Sequence, residues 1–294
     1  MKLLIVGCNG FVGRNLYEYF QQQEKFSVDG TTSRNLNILD EKEVYKWLNE
    51  REYDIIIHAA IYNPRVGMGK EQDKELEYDL RMFYNLAKYH NLYGKMIYFG
   101  SGAEYDKRYP ICSVTEDDWE REIPKNIYGF AKYIINQQIE KSENIYNLRI
   151  FGLYGKYENW KTTFISGAIC KALKNLPITI RRNVYFDYLF ISDFCKMVER
   201  FIDLEEPQYH SYNIASGKRI DLISLAETVK RISGKELPII VCSEGLANEY
   251  TADNSRLIEE IGQVPLTDYE IAIKELYDFY EAIETDIDLL SLLY

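Results

Sequence analysis

Short unbroken runs of apolar residues alternate along the first half of the chain with stretches in which apolar residues recur every three or four positions. Unbroken runs predict buried parallel strands, which have no polar face, whereas the helical spacing predicts amphipathic helices. The predicted strands lie at residues 3–6, 26–32, 53–60, 95–100 and 146–151. The predicted helices lie at residues 14–20, 41–50, 74–90 and 126–143. This alternation predicts an α/β protein with a doubly wound parallel sheet.

Three glycines spaced three residues apart separate the first predicted strand from the first helix. A phosphate group can approach the backbone N–H groups of such a turn because no side chain blocks it. The positive end of the helix dipole then faces the anion. We therefore expect a dinucleotide to bind at Gly7, Asn9, Gly10, Phe11, Val12 and Gly13. The alternative is a tight strand-to-helix turn in another kind of α/β protein.

The pattern of elements changes after residue 156. Helices are predicted at 162–176, 193–204, 222–233 and 268–282, and short strands at 177–180, 185–191 and 212–215. We expect a Rossmann-type NAD(P)-binding domain over residues 1–160, to whose sheet residues 193–216 return. A smaller C-terminal substrate-binding domain is expected over residues 161–192 and 217–294. The cleft between the two is the expected ligand site.

The end of the second strand indicates which dinucleotide is bound. An acidic residue there would bind the 2′-hydroxyl of NAD, but the sequence has Thr32, Ser33 and Arg34. Hydroxyls and a guanidinium suit a 2′-phosphate, so Ser33 and Arg34 favour NADP. NAD is the alternative, in which case Arg34 is a solvated loop residue. The small residues Ala59 and Ala60 end the third strand and let a flat cofactor approach.

One predicted helix carries Tyr128 and Lys132, four residues apart and therefore on the same face. A lysine close to a phenol favours the phenolate and lowers the phenol's pKa. Ser101 ends a preceding strand, where its hydroxyl can polarise a substrate oxygen. Together these residues suit a proton relay beside a hydride-transferring nicotinamide, although a chance Tyr–Lys spacing is the alternative. His58 is expected to be structural.

Net charge and composition exclude several classes of binding partner. The net charge of −11 argues against nucleic acid and anionic membranes. Five scattered cysteines and three histidines give neither a disulfide framework nor a metal site. No apolar run approaches membrane-spanning length, and because the first predicted strand begins within the first three residues, we expect no signal peptide. We expect a cytoplasmic protein.

Taken together, these motifs resemble the extended short-chain dehydrogenase/reductase family, in its NAD-dependent epimerase/dehydratase branch, which modifies nucleotide sugars. The similarity covers nearly the whole chain. The segments that carry it are GCNGFVG, SGAEY, YGFAK, LRIFGLYG, YFDYLFISDF and YNIASGKRIDLISLAETV. The resemblance implies a catalytic role for Ser101, Tyr128 and Lys132. Tyr128 and Lys132 are also expected to contact the cofactor, Lys132 at its nicotinamide ribose, and Asn37 and Ile38 are expected to contact the adenine. It also implies a homodimer formed through helices 74–90 and 126–143.

Two departures from the family pattern narrow the reaction. The family's 4,6-dehydratases have an Asp–Glu pair where this chain has Gly102 and Ala103, so the acid and base for water loss are missing. GDP-fucose synthase, which the chain also resembles around LNILD, has a cysteine for epimerisation at the position of Ala103. The remaining reactions are simple 4-keto reduction and 4-epimerisation by transient oxidation.

Other departures affect the substrate site. The family's asparagine in its L-R-x-F-N motif is Gly152, its diphosphate-binding arginine is Phe186, and its helix asparagine is Asp79. Other cations are then expected to hold the substrate. The candidates are Arg65, Arg181 and Arg182, each of which is otherwise a surface charge.

The sequence therefore predicts an NADP(H)-dependent reductase that acts on a nucleotide-linked 4-keto-6-deoxy sugar. The first alternative is a nucleotide-sugar 4-epimerase with tightly held NAD. The second, from a different class, is a non-catalytic protein that senses dinucleotide, although such a sensor needs none of Ser101, Tyr128 and Lys132.

Overall fold

A computed structural model describes residues 1–62 and 74–292 of the chain. The strands are β1 Lys2–Val6, β2 Ser27–Thr31, β3 Tyr53–His58, β4 Tyr93–Ser101, β5 Ile111–Val114, β6 Ile145–Ile150, β7 Gly152–Tyr154, β8 Ile178–Asn183, β9 Tyr185–Phe190, β10 Ser211–Ile214, β11 Arg219–Asp221, β12 Ile239–Leu246 and β13 Tyr250–Ala252. The α-helices are α1 Phe11–Gln21, α2 Glu41–Asn49, α3 Glu75–Ala87, α4 Ile127–Ile139, α5 Phe164–Leu173, α6 Ile191–Ile202, α7 Leu222–Ser233, α8 Ser255–Ile261 and α9 Tyr269–Ala282.

The main sheet has the strand order β10-β6-β4-β3-β1-β2. Every neighbouring pair in it is parallel, with Val6 opposite His58 and Ser101 opposite Ile150. Because the strands run the same way, the turn after β1 and the end of β4 lie at one edge of the sheet. The predicted doubly wound α/β fold is confirmed, and it brings the glycine turn and Ser101 to the same side of the molecule.

Apolar side chains cover both faces of this sheet. Leu3 and Ile5 of β1 pack on one side with Leu16 and Phe20 of α1. Leu4, the residue between them, packs on the other side in a second cluster. Because successive strand residues point to opposite faces, a strand buried on both sides needs an unbroken apolar run. The pattern in the sequence follows directly from this burial.

A second sheet lies outside the predicted pattern. Its order is β11-β9-β13-β5, and β7 pairs with the same strand β9. The sequence predicts β9 but not β5, β7, β11 or β13, which have only three or four residues each. Strands this short show no measurable alternation of apolar and polar residues. The separate pair of β8 and β12 is parallel.

Side-chain caps fix where several helices begin. Asp221 accepts from the backbone N–H groups of Ile223 and Ser224 at the start of α7, and Asp268 caps α9 in the same way. Asn126 caps α4 by accepting from the N–H of Gly129 at 2.7 Å. Such caps satisfy N–H groups that have no partner inside the helix. The cap at Asn126 fixes the helix turn that carries Tyr128.

Candidate active site

The turn between β1 and α1 is held tightly against the start of the helix. A Cβ atom at Gly13 would lie 2.9 Å from the carbonyl carbon of Gly7, so a larger residue would push α1 away from the turn. Gly10 stands at the N-cap of α1, and no side chain in the described ranges caps this helix. The first N–H groups of α1 are therefore open to an anion, as a pyrophosphate site requires.

A cavity of about 430 Å³ opens beside this turn. Eight of the residues expected to bind cofactor line it, namely Gly7, Asn9, Gly10, Ser33, Asn37, Ile38, Ala59 and Ala60. Thr31, Tyr62 and Met82 also line it and are not marked by any sequence motif. The polypeptide therefore brings the end of β1, the end of β2 and the end of β3 around one space suited to a dinucleotide.

Six residues of the predicted cofactor set do not line this cavity, and two of them, Tyr128 and Lys132, lie instead where β4 meets α4. Phe11, Val12 and Gly13 belong to the first turn of α1, and the side chains of Phe11 and Val12 pack partly against the core. Arg34 is exposed next to Ser33. Among the residues that the structure describes, no carboxylate pairs with Arg34, so its charge is available at the rim of the cavity.

Ser101, Tyr128 and Lys132 come together where β4 meets α4. Ser101 is the last residue of β4, and its Oγ accepts from the N–H of Ala103 at 3.1 Å. Hydrogen bonding to Ser101 favours the ionised form of Tyr128. The Lys132 ammonium lies 5.7 Å from the centre of the Tyr128 ring. The three side chains selected from the sequence thus form one cluster.

The electrostatics of this cluster differ from the prediction made from spacing. Burial of the hydroxyl raises the pKa of Tyr128 to about 12, despite the hydrogen bond to Ser101. Burial also lowers the pKa of Lys132 to about 8, although the charges of Asp79 and Glu104 oppose this. The net shift of the Tyr128 pKa is therefore upward, whereas the nearby lysine led us to expect a downward shift, because desolvation dominates the phenol.

Two acceptors on β4 hold the ammonium of Lys132. Its ammonium donates to the hydroxyl of Tyr98 and to the carbonyl of Phe99, both at 2.8 Å. Both acceptors belong to β4, two and three residues before Ser101. No motif marks Tyr98, whose role follows only from the packing of α4 on the sheet.

His58 lies beneath the same cluster and packs edge-on against Tyr98, with 5.3 Å between ring centres. Burial and the nearby charge of Lys132 lower the pKa of His58 to about 3. The ring is therefore neutral and is enclosed by the sheet, which is the environment of a structural histidine.

A buried ion pair between Glu104 and Arg149 contacts the backbone of Ser101. The Ser101 N–H donates to Oε1 of Glu104 at 3.0 Å, and Nε of Arg149 donates to Oε2 of the same carboxylate at 2.7 Å. Neither Glu104 nor Arg149 has an exposed side chain. Because a buried charge without its partner is costly, this pair fixes the turn that follows β4.

Tyr250 of β13 reaches the cluster from the second sheet, and no sequence motif indicates it. Its ring is buried and packs on Phe151, with 5.0 Å between ring centres. Hydrogen bonding to Ser101 favours ionisation of this phenol too, although burial raises its pKa far above the usual range. Lys107 places its ammonium 4.3 Å from the centre of the same ring.

The other residues considered for substrate binding lie in different parts of the molecule. Arg181 and Arg182 line a cavity of about 340 Å³ with Ser243 and Ala247, at the β8–β12 pair. Phe186 stacks on Tyr188 and also packs against Tyr250. Arg65 lies outside the described residues.

Gly152 and Asp79, two further positions where the chain departs from the family pattern, each make a defined backbone contact. Gly152 pairs with Tyr188 between β7 and β9. Asp79 accepts from the N–H of Tyr62 at 2.7 Å, which ties α3 to the end of the cofactor cavity.

The described part of the chain has neither a membrane-spanning helix nor a cluster of metal-binding side chains. None of the helices there combines the length and the apolar character needed to cross a bilayer. Within the same ranges, no group of three or more histidine, cysteine or acidic side chains is arranged to hold a metal ion.

Comparison with known proteins adds a family and several relatives. The sequence model of the NAD dependent epimerase/dehydratase family matches residues 3–215. Methionine adenosyltransferase 2 subunit beta of Rattus norvegicus is 27% identical over 173 residues, 56% of this chain and 51% of that protein. GDP-L-colitose synthase of Yersinia pseudotuberculosis is 30% identical over 183 residues, 54% and 55% of the two chains. The match thus spans about half the length of these curated relatives.

Solved structures share the whole fold. UDP-glucuronic acid 4-epimerase from Bacillus cereus, in complex with UDP-glucuronic acid and NAD, superposes with a TM-score of 0.80. The comparison covers 96% of this chain and 100% of that one at 19% sequence identity. Structural neighbours contain NAD or NADP. At this identity, the likeness shows the fold alone.

Proposed function

The chain belongs to the NAD dependent epimerase/dehydratase family, and on that premise we propose that it is a reductase of nucleotide-linked 4-keto-6-deoxy sugars that uses NADPH. Members of this family are NAD(P)-dependent enzymes that act on nucleotide sugars, and both epimerases and reductases occur among the neighbours.

The main support for the proposal is that the site contains a proton donor but lacks the neighbouring acid and base that water loss requires. Tyr128 and Ser101 meet at the end of β4, and the two residues after Ser101 are Gly102 and Ala103. A reduction needs one proton for the new hydroxyl, whereas a dehydration also needs groups that remove a ring proton and protonate the leaving hydroxyl. The side chains present support the simpler reaction.

The protonation state of Tyr128 favours the direction of reduction. With its pKa raised to about 12, the phenol is protonated at neutral pH, which is the form that a carbonyl oxygen needs as it gains a hydride. An oxidation must begin with the phenolate instead. Ser101 donates a second hydrogen bond to the same oxygen, and the Lys132 cation offsets negative charge that develops there.

The residues around the cavity fit a dinucleotide. When bound, NADPH supplies the hydride. The open N–H groups at the start of α1 suit the pyrophosphate, Ser33 and Arg34 suit the 2′-phosphate, and Asn37 and Ile38 suit the adenine. Lys132 suits the nicotinamide ribose, and Ala59 and Ala60 leave room for the flat rings.

The nucleotide sugar also needs a positive charge for its diphosphate. Phe186 provides none, but Lys107 lies over the ring of Tyr250, and no carboxylate in the described part of the chain pairs with it. Arg108, its neighbour, is already engaged by Asp106. We assign Lys107 as the cation that contacts an anionic group of the substrate, ahead of Arg181 and Arg182.

Two other functions compete with this proposal. A 4-epimerase would use the same Ser101, Tyr128 and Lys132 and would keep NAD tightly bound through oxidation and return. The rat relative is named as a subunit of an adenosyltransferase, which supports a non-catalytic role in a larger enzyme. Such a role would not require the phenol and the lysine at the end of β4.

The first experiment is cofactor retention and preference on the purified protein. Any nucleotide that co-purifies is extracted and identified, and NADPH and NADH are titrated by fluorescence. The proposal predicts a clear preference for NADPH and no tightly retained nucleotide, because a reductase exchanges its cofactor at every turnover. Tightly retained NAD would contradict it and support the 4-epimerase.

A further inference from the structure

We propose that Tyr250 is a positioning residue of the reaction centre, whose hydroxyl donates to Ser101 and directs the serine proton toward the reacting oxygen beside Tyr128. The inference rests on the proposed function, because it assigns Ser101 its role in that reaction. The contact itself can be tested without a substrate.

Packing holds Tyr250 in one orientation. It belongs to β13, which pairs with both β5 and β9 in the middle of the second sheet. Phe151 and Phe186 contact its ring, with 5.0 and 5.4 Å between ring centres, and Lys107 lies over it. A phenol enclosed in this way has little rotational freedom, so its hydroxyl points to a fixed place.

That place is the turn immediately after Ser101. A Cβ atom at Gly102 would lie 2.8 Å from Cζ of Tyr250 and would approach its hydroxyl even more closely. The phenol therefore occupies the space that a side chain at position 102 would fill. Gly102 accommodates the tyrosine, and the second sheet thereby contributes a hydroxyl to the end of β4.

The hydrogen-bonding capacity of Ser101 explains how Tyr250 can orient the serine proton. A serine hydroxyl has one proton to donate and two lone pairs that accept. The N–H of Ala103 uses one lone pair at 3.1 Å, and a donor at Tyr250 uses the other. The single proton of Ser101 is then directed to the remaining side, where Tyr128 lies. Because burial keeps the phenol of Tyr250 protonated, the phenol has a proton to donate to this second lone pair.

A double-mutant cycle tests this coupling. With a 4-keto nucleotide sugar and NADPH, Tyr250→Phe is expected to lower kcat about 10- to 100-fold and to change KM and the NADPH Kd by less than about twofold. Ser101→Ala is expected to lower kcat further, and adding Tyr250→Phe to it should have no additional effect. A wild-type kcat for Tyr250→Phe, or fully additive losses, would overturn the proposal.

A matched control separates this effect from a general loss of packing. Tyr93 begins the same strand that Ser101 ends, is buried, and donates its hydroxyl to the Leu86 carbonyl at 3.2 Å. Tyr93→Phe removes a buried hydroxyl away from Ser101 and should leave kcat unchanged. An equal fall in kcat for both variants would mean that Tyr250 acts only through the fold.

A spectroscopic measurement tests the contact without a substrate. The protein is prepared with tyrosine labelled by ¹³C at Cζ, and the Tyr250 signal is identified by its loss in Tyr250→Phe. Ser101→Ala is expected to shift that signal and to leave the Tyr93 signal in place. An unshifted Tyr250 signal would overturn the proposal. If wild-type protein reduces no 4-keto sugar while the signal shifts, the proposed function fails and the contact stands.

Discussion

A Cβ atom at Gly129 would lie 2.5 Å from the carbonyl oxygen of Ala103. The helix that carries Tyr128 therefore approaches the turn after β4 as closely as a backbone without a side chain permits. Because Tyr128 immediately precedes Gly129, this contact determines whether the phenol reaches Ser101. The glycine in YGFAK has a geometric role that the tyrosine and lysine alone do not reveal.

Gly129→Ala should separate α4 from the turn after β4. Overpacking of this kind costs about 1–3 kcal/mol of stability, and a displacement of about 1 Å at a reacting group lowers kcat by about 100-fold. Thermal unfolding and steady-state kinetics check both effects. Gln138→Ala, at an exposed position of the same helix, serves as the control and should change neither. A Gly129→Ala variant with normal kcat would contradict this role.

Lys132 should make stability depend on alkaline pH. Its pKa falls from 10.5 to about 8 in the folded protein because the ammonium is buried. Between these values the unfolded chain binds more protons, so the free energy of unfolding rises with pH. Relative to Lys132→Met, the wild type should gain about 3 kcal/mol from pH 8 to pH 10.5. Urea unfolding of both proteins across this pH range measures the difference between their free energies of unfolding. A difference that does not change with pH would refute the prediction.

Arg34 should discriminate between the two dinucleotides. Its unpaired guanidinium at the cavity rim suits a 2′-phosphate, and a charge-assisted hydrogen bond is worth about 1.5–3 kcal/mol. Arg34→Ala should therefore raise the Kd for NADPH about 10-fold or more and that for NADH less than about twofold. Arg181→Ala, another exposed arginine, is the matched control. Equal losses for both dinucleotides would show that Arg34 does not contact the 2′-phosphate.

An acidic residue at position 102 should destabilise the fold and should not confer dehydratase activity. In Gly102→Asp the new side chain would collide with Tyr250 and with Phe151, whose Cε1 lies 2.8 Å from the Cβ position. We expect a loss of about 1–3 kcal/mol in stability and no water loss from a nucleotide-linked hexose. Adding Tyr250→Ala should recover part of the stability, as chemical denaturation would show. Normal stability in the single variant would mean that Tyr250 does not fill this space.

The sequence predicts the main sheet well because its signals are local. The apolar run of β1, the glycines and the helix spacing of α1 lie within 20 residues, and each is dictated by contacts between neighbours in the chain. Tyr128 and Lys132 are equally visible because a helix places residues four apart on one face. The confirmed family follows from the same motifs.

The rest of the site depends on contacts between residues distant in sequence. Tyr250 stands on a strand of three residues, and only the packing of β13 brings it to Ser101, almost 150 residues earlier. Tyr98 binds Lys132 only because α4 lies on β4. The raised pKa of Tyr128 follows from burial in the folded protein, and spacing along the chain cannot supply that information.

The most direct test of the proposed function is reduction of a defined substrate. A purified 4,6-dehydratase converts a nucleotide hexose to its 4-keto-6-deoxy form, and the protein is then added with NADPH, using GDP-, dTDP-, UDP- and CDP-linked sugars in turn. We predict consumption of one NADPH for each 4-hydroxy sugar formed with at least one of them. Tyr128→Phe should lower kcat about 100-fold or more at unchanged NADPH affinity. Interconversion of C4 epimers without net consumption of NADPH, or full activity in Tyr128→Phe, would contradict the account.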